Sequence, residues 1–157
     1  MKVYLAGPMG SKPMFNFQVF EECSRWLQYA FGWEVVSPHQ LDIDSGRMDY
    51  TCRTEQGTDY SFRQFSSVNM SGTYNKWDAL ADDMRNMFDC EKFIIMDGWQ
   101  EAYGVIKQIM VAKWMGMELL QISRTENGYM LSRTEVAETT LAHLYNAHAN
   151  GYKVTTT

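Results

Sequence analysis

Four side chains in the middle of the chain offer most of its chemistry: Asp83, Asp97, Glu101 and Gln108. A carboxylate can attack an electrophilic carbon or accept a proton, and a carboxylic acid can donate one. A glutamine carries no charge and is a very poor nucleophile, so it contributes hydrogen bonds alone. Asp97 is the most informative lone acid. It closes the apolar run Phe93-Ile94-Ile95-Met96, and site residues gather at the carboxyl ends of parallel strands; the plainer reading is that Asp97-Gly98 forms a turn. Asp83 stands beside Asp82 on a helical stretch, where an acidic face is ordinarily just solvated. Glycines make a second kind of site. Gly7 and Gly10, in Gly7-Pro8-Met9-Gly10, allow a ligand to approach the backbone, and free N–H groups there could hold a phosphate. Taken alone, that motif reads first as a tight strand-to-helix turn.

These residues need elements to position them. Lys2 to Ala6 reads as a first buried strand. Phe15 to Phe31 carries helical spacing, with Asn16 as N-cap and Gly32 as stop, and Trp33 to Ser37 reads as a second strand halted by Pro38. Together they form a βαβ unit, which implies parallel strands and a right-handed crossover. His39 to Lys76 shows no clear period and reads as a long loop with short helical turns, one of them anchored by Tyr60, Phe62 and Phe65, that could cover a site. Its acids Asp42, Asp44, Asp49 and Asp59 lack the downstream Glu of a calcium loop and read as solvated. Trp77 to Phe88 is a helix whose apolar stripe is Trp77, Leu80, Met84, Met87 and Phe88. Lys92 to Met96 is a strand. Gly104 then opens a helix to Met115 that buries Val105, Ile109 and Ala112, with Met110 beside them. Met117 to Ile122 is a further strand, and Asn127-Gly128 signals a hairpin. Ser132 and Glu135 form a capping box for a last helix. No repeat or linker is visible, so residues 1–157 read as one domain.

With 157 residues, 45% of them hydrophobic, the chain can bury a full core. A net charge of −5 argues against non-specific nucleic-acid binding. The three cysteines lack CxxC spacing and the three histidines are scattered, so the expectation is reduced thiols and no metal. The reduced thiols fit a cytoplasmic setting, and no segment reads as a membrane span or a signal peptide.

Three motifs carry a resemblance. The first is Lys2-Val3-Tyr4-Leu5-Ala6-Gly7-Pro8-Met9 followed by Phe15-Asn16. The second is the stretch Ala79 to Trp99. The third is Gly104-Val105 with Gln108, Ala112 and Gly116. Together they resemble the nucleoside 2-deoxyribosyltransferase-like superfamily, and within it small phage and bacterial proteins of the DUF4406 type. The resemblance spans most of residues 2 to 122. It implies a flavodoxin-like α/β three-layer sandwich with a mainly parallel sheet, to which this chain adds a C-terminal hairpin and helix. It also implies an enzyme, transferase or hydrolase, that cleaves the N-glycosidic bond of a nucleoside or its 5′-monophosphate. In such an enzyme a carboxylate attacks the anomeric carbon while an acid protonates the departing base. By position, Gln108 stands where the nucleophilic glutamate is expected and Asp83 where an aspartate binds or protonates the base. Tyr4, Gly7, Pro8, Met9, Gly10 and Asn16 would lie beside the substrate, as would Gly98, Trp99, Glu101 and Gly104. Trp99 is the aromatic best placed to stack on a base, whereas Trp114 reads as core. The resemblance further implies no cofactor, a small-molecule nucleoside or nucleotide as partner, and a homo-oligomer with shared pockets. The setting it suggests is a bacterial cytoplasm, including that of a phage-infected cell.

The chain departs from that pattern at Gln108, and also at Gln100 and Ala102. Four accounts of Gln108 stand side by side: an engineered Glu-to-Gln change, a natural loss of catalysis, an active site in which Asp97 or Glu101 supplies the carboxylate, or an ordinary polar residue on an exposed helix face. The competing classes are a nucleotide sensor or sponge without turnover and a scaffold with a vestigial pocket.

Overall fold

The computed structural model describes residues 1–56 and 61–155. In chain order the elements are β1 (Lys2–Ala6), α1 (Phe17–Phe31), β2 (Glu34–Val36), α2 (Pro38–Asp44), β3 (Met48–Gln56), β4 (Ser61–Met70), α3 (Lys76–Phe88), β5 (Lys92–Met96), α4 (Tyr103–Trp114), β6 (Glu118–Thr125), β7 (Gly128–Arg133) and α5 (Glu138–Ala149). Five strands form one sheet in the order β2-β1-β5-β6-β7. The first four are parallel and β7 returns antiparallel to β6. The result is an α/β three-layer sandwich of the flavodoxin-like type with a C-terminal hairpin and helix.

The central strands are apolar throughout because both of their faces are covered. Val3, Leu5, Ile94 and Met96 point to one side, where they pack on Phe20, Cys23 and Leu27 of α1. Tyr4, Ala6, Phe93 and Ile95 point to the other, where they meet Met87 of α3, Ile106 and Ile109 of α4, and Leu141 of α5. Asn75 caps α3 by accepting from the N–H groups of Trp77 and Asp78. Gly32 ends α1 in the left-handed conformation, at φ 68°.

The stretch read as a long loop is structured. It forms α2 and then a β3–β4 hairpin, a two-stranded sheet of its own. Its period is hidden because a bulge shifts the register between Thr51 and Cys52. Of the expected anchors Phe65 does pack, with Val68, against Phe17 and Met48, but as a strand residue, and Phe62 lies on the same strand without joining that cluster. Asp59 and Tyr60 lie outside the described residues. Asp42 is not solvated: it is buried and accepts from Arg47 Nε at 2.9 Å. Further differences lie at helix boundaries and faces. Ser132 belongs to β7, and α5 begins only at Glu138 with Ala137 as its N-cap. Trp77, Leu80 and Phe88 are exposed, and the buried side of α3 is Ala79 and Met87. Trp114 is 86% exposed whereas Trp99 is 5% exposed, the reverse of the expectation. Trp114 follows Ala112 by two residues and so points away from the buried stripe. Trp99 sits in a 3-10 turn folded back onto the core.

Among the described residues no helix is long and apolar enough to cross a membrane, and no three His, Cys, Asp or Glu side chains are grouped to hold a metal ion.

Candidate functional site

The sheet order reverses between β1 and β5: the chain leaves β1 for β2 on one side and returns to β5 on the other. Beyond the carboxyl ends of two such strands the connecting loops diverge and leave a crevice. A cleft of about 450 Å³ lies there, a volume suited to a small organic ligand. Its walls are the turn Gly7–Ser11 after β1, Pro38 at the start of α2, Lys76 to Asp83 along α3, and Glu101 to Gln108 at the start of α4.

Gln108 is 5% exposed and donates from Nε2 to the Tyr4 hydroxyl at 3.3 Å. The account that places it on an exposed helix face is therefore overturned. It belongs to the same buried stripe as Val105, Ile109 and Ala112, a polar residue on an apolar face. Tyr4 is wholly buried on the sheet. Burial pushes its phenol well above the ordinary value, and the charge of Asp83 adds to this, against the hydrogen bond from Gln108.

Asp82 and Asp83 are neighbours with opposite circumstances. Asp82 accepts from Arg47 Nη2 at 2.9 Å and from Asn86. Asp83 lines the cleft, and its Oδ1 is shut off from solvent with no hydrogen-bond partner. Burial is the main reason that its carboxyl is pushed up to about 7; the charge of Asp42 acts in the same direction and Arg47 opposes it. A group poised near neutrality in a crevice can give or take a proton under ordinary conditions.

The remaining expected site residues separate into three groups. Pro8, Met9, Gly10, Glu101 and Gly104 line the cleft beside Gly7. A side chain at Gly10 or Gly104 would meet nothing within 4 Å, whereas a Cβ at Gly7 would come within 2.8 Å of Met96 Sδ. Gly7 is thus required by the packing of β1 against β5. Glu101 pairs with Lys12 at 3.4 Å. Asn16 supports the wall from behind. It does not cap α1 with its side chain but donates from Nδ2 to Pro8 O at 2.9 Å. That contact holds the end of a left-handed turn in which Met14, Phe15 and Asn16 have φ of 48°, 54° and 62°. Each such residue costs about 1–2 kcal/mol, so the turn exists only because its surroundings fix it.

Asp97, Gly98 and Trp99 are not among the residues lining the cleft. The Asp97 carboxylate accepts from Gln121 Nε2 at 3.1 Å and from Ser123 Oγ at 2.8 Å, both on β6. Gly98 makes the turn at φ 84°. Trp99 is core and offers no exposed face for stacking.

The sequence reading missed Pro38, Tyr74, Lys76, Leu80 and Lys107, all of which border the cleft. A signal for part of this set was present. Lys76, Ala79, Leu80 and Asp83 follow three-and-four spacing, so the helix face that carries Asp83 had to carry them too. Lys107 reaches back over the Tyr103 ring at 3.9 Å, a cation–π contact at the cleft rim. Tyr103 stacks in turn on His148 of α5, ring centres 5.4 Å apart, so the last helix braces this wall.

No protein-family model, curated protein or solved structure matches this chain.

Proposed function

We propose that the cleft binds a nucleoside or a nucleoside 5′-monophosphate and that the protein acts on its N-glycosidic bond, with Asp83 as the proton donor to the base. The observation that carries this reading is the Asp83 carboxyl, unpartnered and pushed up to about 7 at the switch point of the sheet. A nucleobase leaves poorly as an anion and needs a proton. In the proposed step Asp83 donates its proton to a base nitrogen as the bond from that base to the anomeric carbon breaks. The bonding pair goes to the base. A water oxygen then bonds to the anomeric carbon, and the proton it sheds restores the Asp83 carboxyl. Hydrolysis of this kind needs no covalent intermediate, which suits a site where Gln108 stands at the position expected for a nucleophile. Glu101 is the other carboxylate bordering the cleft and the candidate to orient the water. The two lysines at the rim, Lys76 and Lys107, suit an anionic substituent. The reduced cysteines, two of them buried, suit a reducing compartment.

A second reading is favoured by one contact. Gln108 is buried and engaged with Tyr4, so the pocket can be ordered and occupied without turnover, as in a nucleotide sensor or sponge.

One assay separates the two. The chain as given, Gln108→Glu and Asp83→Asn are incubated with a panel of nucleosides and 5′-monophosphates, base release is followed by chromatography, and melting-temperature shifts report binding. Turnover by the chain as given, lost in Asp83→Asn, supports the hydrolase. A ligand-induced melting shift without base release, with release appearing in Gln108→Glu, supports the silent binder. Neither release nor a shift with any ligand would sink both.

A further inference from the structure

The hairpin has two outer edges, and the fold treats them differently. Along β4 the backbone is covered by side chains of α1. Gln18 donates from Nε2 to Arg63 O at 3.1 Å and accepts from Phe65 N at 2.8 Å, as a neighbouring strand would. Arg63 N donates to Glu21 Oε2 at 3.0 Å. Among the described residues β3 pairs with β4 alone, and its other edge runs nine residues, Met48–Gln56, with no neighbouring strand. A long open edge is a template for another strand.

We infer that this edge receives a second copy of the same chain, β3 pairing antiparallel with β3 about a two-fold axis at Thr51. An isologous contact requires the antiparallel direction, and the side chains select the register. With Thr51 opposite Thr51, Asp49 of each copy faces Arg53 of the other. Asp49, Thr51 and Arg53 are all exposed and share one face of the strand. Their cross-strand neighbours on β4 are polar: Thr51 bonds Ser67 and Arg53 bonds Gln64. Two opposite-charge pairs therefore form on the solvent face. On the other face Tyr50 comes opposite Cys52 of the second copy. Tyr50 is 37% exposed although it packs edge-on against Phe65, and the pairing extends that apolar face into a four-stranded sheet. Shifting the axis by one residue to Cys52 instead sets Arg53 opposite Thr51 and loses the charge match. This inference is independent of the reading of the cleft.

The test is sedimentation equilibrium of the full chain over a concentration series. The expected result is a dimer. Asp49→Arg and Arg53→Asp should each weaken it by about tenfold or more, since each sets like charges opposite one another. The double variant Asp49→Arg/Arg53→Asp should restore it, which also shows that the single variants fail through charge and not misfolding. Thr51→Cys in a Cys52→Ser background should form a covalent dimer on mild oxidation, because directly opposed Cα atoms lie about 4.5–5.5 Å apart, within disulfide reach. A monomer throughout the series overturns the inference. So does a dimer indifferent to all four variants, which places the contact on another surface.

Discussion

The cleft and the hairpin base each enclose a carboxylate on a helix, and their surroundings do opposite things to it. Under the hairpin, Glu21 is 1% exposed. It meets His39 Nε2 at 3.1 Å, Arg63 Nη2 at 2.7 Å and Arg63 N at 3.0 Å. Burial alone would raise its pKa, but the bonds from His39 and Arg63 outweigh burial and hold it well below the usual carboxylate range. Burial pushes the His39 imidazole below its ordinary pKa against the pull of Glu21, and because a carboxylate only accepts, the Glu21 contact fixes its tautomer. Its Nε2–H donates to Glu21, and its Nδ1 accepts from Ser37 Oγ at 2.7 Å. The Ser37–His39–Glu21 chain resembles a nucleophile with its base and orienting acid. Its serine is 1% exposed, however, so no substrate reaches it, and the chain fastens α1, α2 and β4 together. In the cleft, Asp83 has the burial without the partners, and its pKa moves up to about 7. A carboxylate whose lone pairs are filled by the fold belongs to the structure. One left unfilled beside a cavity is available to a ligand.

The largest expected effect breaks the satisfied side of this comparison. Glu21→Gln removes the charge opposite Arg63 and should lower the unfolding free energy by about 3–5 kcal/mol, read from urea denaturation at neutral pH. The folded-state pKa of Glu21 is depressed, so its contribution is present above the ordinary value of 4.5 and is lost as pH falls below it. An unchanged denaturation midpoint would show that the network is dispensable.

On the unsatisfied side the sign reverses. Asp83 binds its proton more tightly in the folded state, so stability falls as pH rises from 3.8 through about 7. Asp83→Asn should therefore stabilise the protein at pH 8 by about 1–3 kcal/mol and leave it nearly unchanged below pH 4. Equal effects at both pH values would mean that Asp83 is not held protonated. The same variant should abolish any base release.

A smaller effect is expected at Gln108. Gln108→Glu sets a second acid into the cleft with Asp83, and it should cost about 1–2 kcal/mol at pH 8 and less at pH 5. Melting curves at the two pH values check this, and a pH-independent loss points to packing instead. The smallest effect belongs to Asp97, an exposed acid tied to β6. Asp97→Asn should change stability by about 0.5 kcal/mol or less and leave nucleotide-induced melting shifts intact. Loss of those shifts would return Asp97 to the site.

How much of this was legible depended on the distance over which each feature is decided. The run Phe93 to Met96, the glycine stop at Gly32 and the turn at Asn127-Gly128 are local signals, and each marks an element observed in the fold. The βαβ order of the first strands implied a parallel sheet, whereas the burial of Gln108 on the stripe of Val105, Ile109 and Ala112 was settled only by the packing of α4 on the sheet. The hairpin was illegible because its bulge breaks the alternation and its strands mix Ser, Thr and Asn with aromatics. The faces of α3 were misassigned because Trp77, Leu80 and Phe88 share a stripe that no neighbour covers.

What the sequence determined by itself was therefore the order and type of most elements, since hydrophobic period, caps and turn residues act within a few positions. Only the tertiary structure decided which acid is silent and which is poised. Asp82 and Asp83 are identical and adjacent, yet Arg47, far away in the chain, reaches one and not the other. Glu21 on α1 is quenched by Arg63, 42 positions away on β4. A carboxyl takes its proton affinity from the partners and the solvent around it, and those arrive only when distant segments pack.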